Sequence, residues 1–178
     1  MRFSSVIILA SLVASSFAST AADLKADIAT IAVRINALDT SIIAFTLPRG
    51  TIAQALAIHN NVLTLSTALD KGASDATNVI PNPVSLTDGR AILTALEATE
   101  ATIVRCLTNI VARKAAFSVL PTSGVPAIVK QDLSNLSAST VKLEAALIAS
   151  APADLVAEAT AFKGRIDTSF AAAIAAYA

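Results

Sequence analysis

The apolar residues of this chain recur at alternating intervals of four and three, with polar residues between them. This spacing keeps the apolar side chains on one face of an α-helix. The first such stretch has its apolar positions at Leu24, Ile28, Ile31, Ile35, Leu38, Ile42 and Phe45. It ends at residues 47–50, Leu-Pro-Arg-Gly, because proline disfavours helix in the residue before it and glycine suits a turn.

A second helix is predicted from Thr51 to about Ala76, and it carries two neighbouring apolar stripes. One stripe consists of Ile52, Leu56, His59, Leu63 and Leu69, and the other of Ile58, Val62 and Leu65. Two stripes make a wide apolar arc that must contact more than one neighbour. Pro81 and Pro83 then interrupt the pattern, since neither can donate a backbone hydrogen bond.

The same spacing predicts three more helices. The third opens at Ser85 and continues through Ile110, the fourth begins near Val125, and the fifth runs from about Ala153 to the end. Residues 117–126 are less regular and are interpreted as a loop. No stretch has the strict alternation of a β-strand. The pattern therefore predicts an all-α fold, an antiparallel bundle of about five amphipathic helices.

Residues 1–18 have the three-part order of a secretory signal peptide. Arg2 supplies the positive start, residues 6–13 are mostly apolar, and small residues end the segment at Ala18. The apolar part is too short to span a bilayer. We predict cleavage after Ala18, with Ala21 as the alternative. Residues 19–178 then form a single helical-bundle domain of a secreted protein.

Composition and charge limit the kinds of partner that the protein can bind. The chain has 13 basic and 13 acidic residues, so no basic excess favours binding to nucleic acid. Hydrophobic residues make up 54% of the chain but aromatic residues only 4%. The core must therefore be built from many Leu, Ile, Val and Ala contacts instead of large aromatic anchors.

Cys106 is the only cysteine, so the chain cannot form an internal disulfide. This excludes the small secreted scaffolds that depend on several disulfides. Cys106 lies among Ile103, Leu107 and Ile110, where a buried thiol acting as a small hydrophobic residue is expected. An intermolecular disulfide or a reactive thiol is the alternative.

Groups that could carry catalysis are sparse. His59 is the only histidine, so a catalytic triad or a two-histidine metal site lacks its residues. We interpret His59 as a structural or boundary residue, with contact to a ligand head group as the alternative. The acidic pairs Glu97/Glu100 and Asp154/Glu158 are typical of solvated helix faces. We expect no enzymatic activity, no cofactor and no metal.

The chain contains one glycosylation sequon, Asn135-Leu136-Ser137. Leu136 belongs to the apolar face of the fourth helix, so the neighbouring Asn135 can point outward. Asn135 is therefore a candidate site for a glycan in a secreted chain.

The apolar faces allow two interpretations: a fully packed core, or a lumen between the helices that accepts an acyl chain. With few aromatic residues and much alanine, such a lumen can remain underfilled. The helices could also lay their apolar faces on an uncharged hydrophobic surface. The residues expected to line a lipid-binding lumen are Ile31, Ile35, Leu38, Leu63, Leu93, Leu96, Ile103, Leu136, Leu143, Phe162 and Ile166.

The whole predicted mature chain resembles the fungal hydrophobic surface-binding protein family, which also includes cell-wall galactomannoproteins. The pattern as a whole carries the likeness, not a single motif. Its segments are 27–31 (Asp-Ile-Ala-Thr-Ile), 38–40 (Leu-Asp-Thr), 63–65 (Leu-Thr-Leu), Leu96-Glu97, 114–117 (Lys-Ala-Ala-Phe), and Phe162-Lys163 with Phe170.

The resemblance implies a secreted helical bundle that adsorbs to hydrophobic surfaces and recruits hydrolases such as cutinases to a polymer. For the wall mannoproteins it implies capture of fatty acids in a central cavity. It supplies no catalytic residues. The chain lacks the Ser/Thr-rich tail and anchor signal of the wall-attached members. We therefore expect a freely secreted form, with association with the cell wall as the alternative.

A secreted helical-bundle inhibitor of a carbohydrate-active enzyme is the alternative function. Inhibitors of pectin methylesterases and invertases resemble this chain in size and helicity. They rely on paired cysteines, however, and Cys106 alone cannot supply a bridge.

Overall fold

The computed structural model describes residues 18–178, which form six α-helices. They are α1 (Ala21–Ala44), α2 (Ile52–Thr77), α3 (Leu86–Ala112), α4 (Lys114–Ser118), α5 (Val125–Ala149) and α6 (Ala153–Ala176). The five long helices are those that the apolar spacing predicts. The short α4 is additional: it lies mostly before the predicted loop, and its five residues are too few to show a helical period.

The five long helices form a closed ring in the order α1, α2, α5, α6, α3 and back to α1. Helices joined by short loops, α1 with α2 and α5 with α6, run antiparallel. The neighbours α1 and α3, α3 and α6, and α2 and α5 run parallel. Inter-helix ion pairs follow these directions: Asp27–Lys71, Lys25–Asp88, Asp39–Arg105, Arg90–Glu158, Glu100–Arg165, His59–Asp132 and Glu144–Lys163.

Side-chain caps fix where the helices begin. Thr20 and Asp23 form a capping box at the start of α1, in which each side chain binds the backbone N–H of the other residue. Thr51 and Gln54 form a second capping box at α2. Ser85 caps α3, because its hydroxyl oxygen accepts a hydrogen bond from the backbone N–H of Asp88. The Asp88 carboxylate in turn accepts hydrogen bonds from the Ser85 hydroxyl and from Lys25.

The apolar faces of the helices pack inward, with one correction on α2. All seven apolar positions predicted for α1 are buried. On α2, however, Ile58, Val62, Leu65 and Leu69 form the buried stripe. Ile52, Leu56 and Leu63 are about half exposed, at 46%, 53% and 49%. Leu69 therefore belongs to the stripe of Ile58, with spacings of four, three and four, and not to the stripe of Leu63.

The predicted signal peptide lies outside the described residues, apart from Ala18. Within residues 18–178, none of the helices combines the length and the apolar character needed to cross a membrane. Just before α1, Ser19 forms an isolated backbone bridge with Val79, which connects the start of α1 to the end of α2.

Candidate functional site

The ring of helices encloses an elongated lumen to which all five long helices contribute. The lining is almost entirely aliphatic, with three aromatic or sulfur-containing side chains and a few polar groups. Its residues are Ile31, Ile35, Leu38, Ile42, Ile58, Val62, Leu65, Leu69, Leu96, Thr99, Ile103, Cys106, Leu107, Ile110, Val129, Asp132, Leu133, Leu136, Thr140, Leu143, Glu144, Leu147, Phe162, Ile166 and Phe170. A mostly apolar cavity with a few polar groups is typical of a small-molecule site.

The lumen runs lengthwise along the bundle. Its lining extends from Leu96 to Ile110 on α3, about 21 Å at 1.5 Å per residue. On α5 it extends from Val129 to Leu147, about 27 Å. The cavity along this path has a volume of about 80 Å³ and is partly open to solvent. The shape is that of a channel for a long, thin, apolar molecule.

Most of the residues expected to line a lipid-binding lumen are brought together on this wall. Nine of the eleven line the lumen: Ile31, Ile35, Leu38, Leu96, Ile103, Leu136, Leu143, Phe162 and Ile166. They come from α1, α3, α5 and α6. The contribution of α2 is different from the expected one, because its lumen-facing residues are Ile58, Val62, Leu65 and Leu69.

Leu63 and Leu93 do not line the lumen. Leu63 is half exposed on the outer side of α2, since the buried stripe of that helix is the one through Ile58 and Leu65. Leu93 is buried, but it lines a smaller cavity near the start of α6, together with Gly89 and Leu155. Two of the eleven positions were therefore wrongly placed on the lumen wall.

One buried carboxylate on the lumen wall, that of Asp132 on α5, is fully partnered. His59 Nδ1 on α2 lies 2.8 Å from Asp132 Oδ2 and 3.0 Å from Oδ1. Burial raises the pKa of Asp132, although the contact with His59 opposes this. The pair links α2 to α5, and it gives the single histidine the boundary position that the sequence predicts.

A second buried carboxylate, that of Glu144, also lies on the lumen wall. Lys163 Nζ on α6 donates to Glu144 Oε2 at 3.3 Å and to Asp167 Oδ2 at 2.5 Å. Burial raises the pKa of Glu144 to about 7, with Lys163 opposing the shift. This group was not recognised in the sequence, because it directly follows Leu143 and has no partner nearby in the chain.

Cys106 lies on the lumen wall as a buried thiol, in agreement with the expected hydrophobic role. Its Sγ is 3.5 Å from Asp39 Oδ1, and Arg105 holds the other oxygen of Asp39 at 2.6 Å. Burial raises the pKa of Cys106 to about 12, and Asp39 adds to the rise. The thiol is therefore protonated at neutral pH and is a weak nucleophile.

The described residues offer little for metal binding. Within residues 18–178, histidine, cysteine and acidic side chains do not form a group of three that could hold a metal ion.

Asn135 of the sequon is exposed on α5, where its Oδ1 accepts a hydrogen bond from Gln131 Nε2 at 2.7 Å. Its glycosylation stays a prediction.

Solved structures with this architecture are known. AFMP4P in complex with palmitic acid is 30% identical, with a TM-score of 0.80, and the match covers 89% of this chain and 99% of that one. Ligand binding domain 1 of the Penicillium marneffei MP1 protein, complexed with arachidonic acids, is 16% identical with a TM-score of 0.78. That match also covers 89% of this chain and 99% of the other. At 16% identity the second likeness concerns the fold alone.

The fold and the lumen define a class of helical bundles with an apolar interior channel. The sequence model of the hydrophobic surface binding protein A family matches residues 21–149, from the start of α1 to the end of α5. The chain therefore belongs to the hydrophobic surface binding protein A family. Among curated proteins, none matches it in sequence.

Proposed function

We propose that this protein is a secreted, non-enzymatic carrier that holds a long-chain fatty acid in its lumen. One observation carries the proposal: an aliphatic channel runs the length of the bundle, in the fold of a 30% identical protein in complex with palmitic acid. Secretion rests on the predicted signal peptide. The absence of activity is an expectation from the sparse catalytic groups.

The lumen is suited to an acyl chain on physical grounds. Each CH2 group moved from water into an apolar site contributes about 0.8 kcal/mol. Ten such groups contribute about 8 kcal/mol, which corresponds to a micromolar Kd before the cost of association is subtracted. The long dimension of the channel lets these groups be buried in a row. Affinity should therefore rise with chain length until the channel is full.

A displacement titration tests the proposal. The mature protein is delipidated and loaded with a fluorescent fatty acid, and palmitate is then added. We expect saturable one-to-one displacement with micromolar or tighter affinity. A protein that binds neither compound saturably, under conditions in which it remains helical by circular dichroism, would contradict a lumen-held ligand.

Adsorption to apolar surfaces is a second candidate function, favoured by a separate observation. Ile52, Leu56 and Leu63 form an exposed apolar stripe on α2, on the side away from the lumen. Large exposed apolar side chains in one row are typical of an interaction surface. Depletion onto hydrophobic beads without saturable displacement would favour adsorption over carriage. Recruitment of a hydrolase such as a cutinase, and association with the cell wall, stay predictions.

The inhibitor alternative has less support. It requires a surface that binds a carbohydrate-active enzyme, and an aliphatic channel inside the bundle does not supply such a surface. A protein that neither binds the fluorescent fatty acid nor adsorbs to hydrophobic beads would favour this alternative.

A further inference from the structure

Three buried side-chain oxygens have no hydrogen-bond partner among residues 18–178: Asp27 Oδ2, Ser66 Oγ and Glu144 Oε1. Of these residues, only Glu144 belongs to the lumen wall. A buried polar atom without a partner costs free energy, so such an atom beside a cavity requires an explanation. Glu144 is 6% exposed, and bulk water therefore does not supply the missing partner.

The two lumen carboxylates differ in one respect. Asp132 has His59 close to both of its oxygens. In Glu144, only Oε2 accepts a hydrogen bond, from Lys163, and Oε1 has no hydrogen-bond partner among the described residues. Thr140, one helical turn before Glu144 on the same face of α5, also lines the lumen. Glu144 and Thr140 thus form a polar spot in an otherwise aliphatic stretch of the channel.

The charged groups that act on Glu144 come from α6. Lys163 and Asp167 of α6 act on Glu144, and Lys163 binds both carboxylates. On α2, Asp70 pairs with Lys142 at 3.7 Å on the exposed edge of the α2–α5 interface. The Lys163 charge is therefore shared with Asp167 and does not fully compensate a second carboxylate placed beside Glu144.

We propose that Glu144 binds the carboxyl group of the fatty acid through a single proton shared between the two carboxyl groups. This inference rests on the proposed function. The shared proton lies between Glu144 Oε1 and one oxygen of the ligand, and it is taken from solvent when both groups are ionised. The resulting O–H···O⁻ hydrogen bond is of the short, charge-assisted kind. It supplies the partner that Glu144 Oε1 lacks.

The alternative, two ionised carboxylates side by side in a buried site, is unfavourable because like charges at close range repel strongly at low dielectric. Binding of a fatty acid must therefore be coupled to retention of one proton. Burial raises the pKa of Glu144 to about 7, so the proton is present on Glu144 below that pH and is lost above it. Affinity for a fatty acid should fall as the pH rises through 7.

The test compares dodecanoic acid with 1-dodecanol, which have the same chain length, at concentrations below their solubility limits. Binding to the delipidated protein is measured at pH 6 and pH 8.5 by calorimetry. For dodecanoic acid we expect the affinity to fall about tenfold or more between these pH values. For the alcohol we expect little change, because its O–H donates to Glu144 whether or not that group is ionised.

The Glu144→Gln variant sharpens the test. The Gln amide N–H donates to an ionised ligand at either pH, so the pH dependence for dodecanoic acid should disappear. At pH 8.5 the variant should bind the acid more tightly than the unmodified protein, an outcome that loss of structure would not give. Glu158→Gln is the matched control, because the Glu158 side chain is partly exposed and pairs with Arg90 outside the lumen. It should keep the original pH dependence.

The outcomes separate the two proposals. If the unmodified protein binds neither the acid nor the alcohol at either pH, the proposed function fails. If it binds both with the same pH dependence, or if Glu144→Gln responds to pH as the unmodified protein does, the role of Glu144 is wrong and the carrier function stands.

Discussion

Replacing Leu136 with tryptophan should weaken palmitate binding about tenfold or more, a loss of about 1.4 kcal/mol or more. Leu136 lies on the lumen wall in the middle of α5 and is 5% exposed. A tryptophan there must project its indole into the lumen, because Leu136 is buried and lines it. Displacement of the fluorescent fatty acid measures the change. Overpacking should also cost about 1–3 kcal/mol of stability, measured by urea unfolding.

Leu63→Trp is the control for this variant, since it makes the same substitution on α2 where the side chain is half exposed. We expect unchanged affinity and a change in stability within about 0.5 kcal/mol. The chain contains no tryptophan, so each variant carries a single fluorophore. Its emission should be blue-shifted only at position 136. Unchanged palmitate affinity in Leu136→Trp, with blue-shifted emission, would contradict binding inside the lumen.

Replacing Phe117 with alanine should destabilise the protein by about 3–5 kcal/mol. Phe117 on α4 is 1% exposed, and its ring centroid is 4.4 Å from that of Phe45 at the end of α1. Phe45 in turn covers Gly50, where an added Cβ would overlap its ring. Truncating Phe117 therefore leaves a cavity in a tightly packed region. Urea unfolding followed by circular dichroism measures the loss.

Val119→Ala is the control for the Phe117 variant, because Val119 is 61% exposed two residues later in the chain. Its free energy of unfolding should change by less than about 0.5 kcal/mol. Neither Phe45 nor Phe117 lines the lumen, so the folded Phe117→Ala protein should keep its palmitate affinity. A loss below about 1 kcal/mol would mean that α4 is not part of the cooperative core.

The long helices were predictable from the sequence because each carries an apolar repeat over many turns. On α1 a single stripe left no choice of face, and all seven predicted positions are buried. On α2 two stripes competed, because the stripe of Leu63 and the stripe of Ile58 both have spacings of four and three. The stripe that is buried is the one that faces the neighbouring helices α1 and α5, and periodicity alone does not identify these neighbours. Leu63 was misplaced for this reason.

The polar parts of the site were not predictable in the same way. His59 and Asp132 are 73 residues apart, and their pairing depends on α2 lying beside α5 in the ring. Glu144 and Lys163 are on different helices, so neither one signals the other in the sequence. Asp39 is a charged residue beside Leu38 of the apolar stripe, yet it is buried against Arg105 and Cys106. Such contacts follow from the order of the helices, not from their periods.

The central claim, that the ligand lies within the lumen, is tested most directly by NMR with 13C-labelled palmitate and methyl-labelled protein. We expect nuclear Overhauser effects between the acyl chain and the methyl groups of Ile35, Leu136 and Ile166, which come from three different helices of the wall. Effects confined to the exposed methyl groups of Leu56 and Leu63 would contradict the claim. They would place the acyl chain on the outer face of α2.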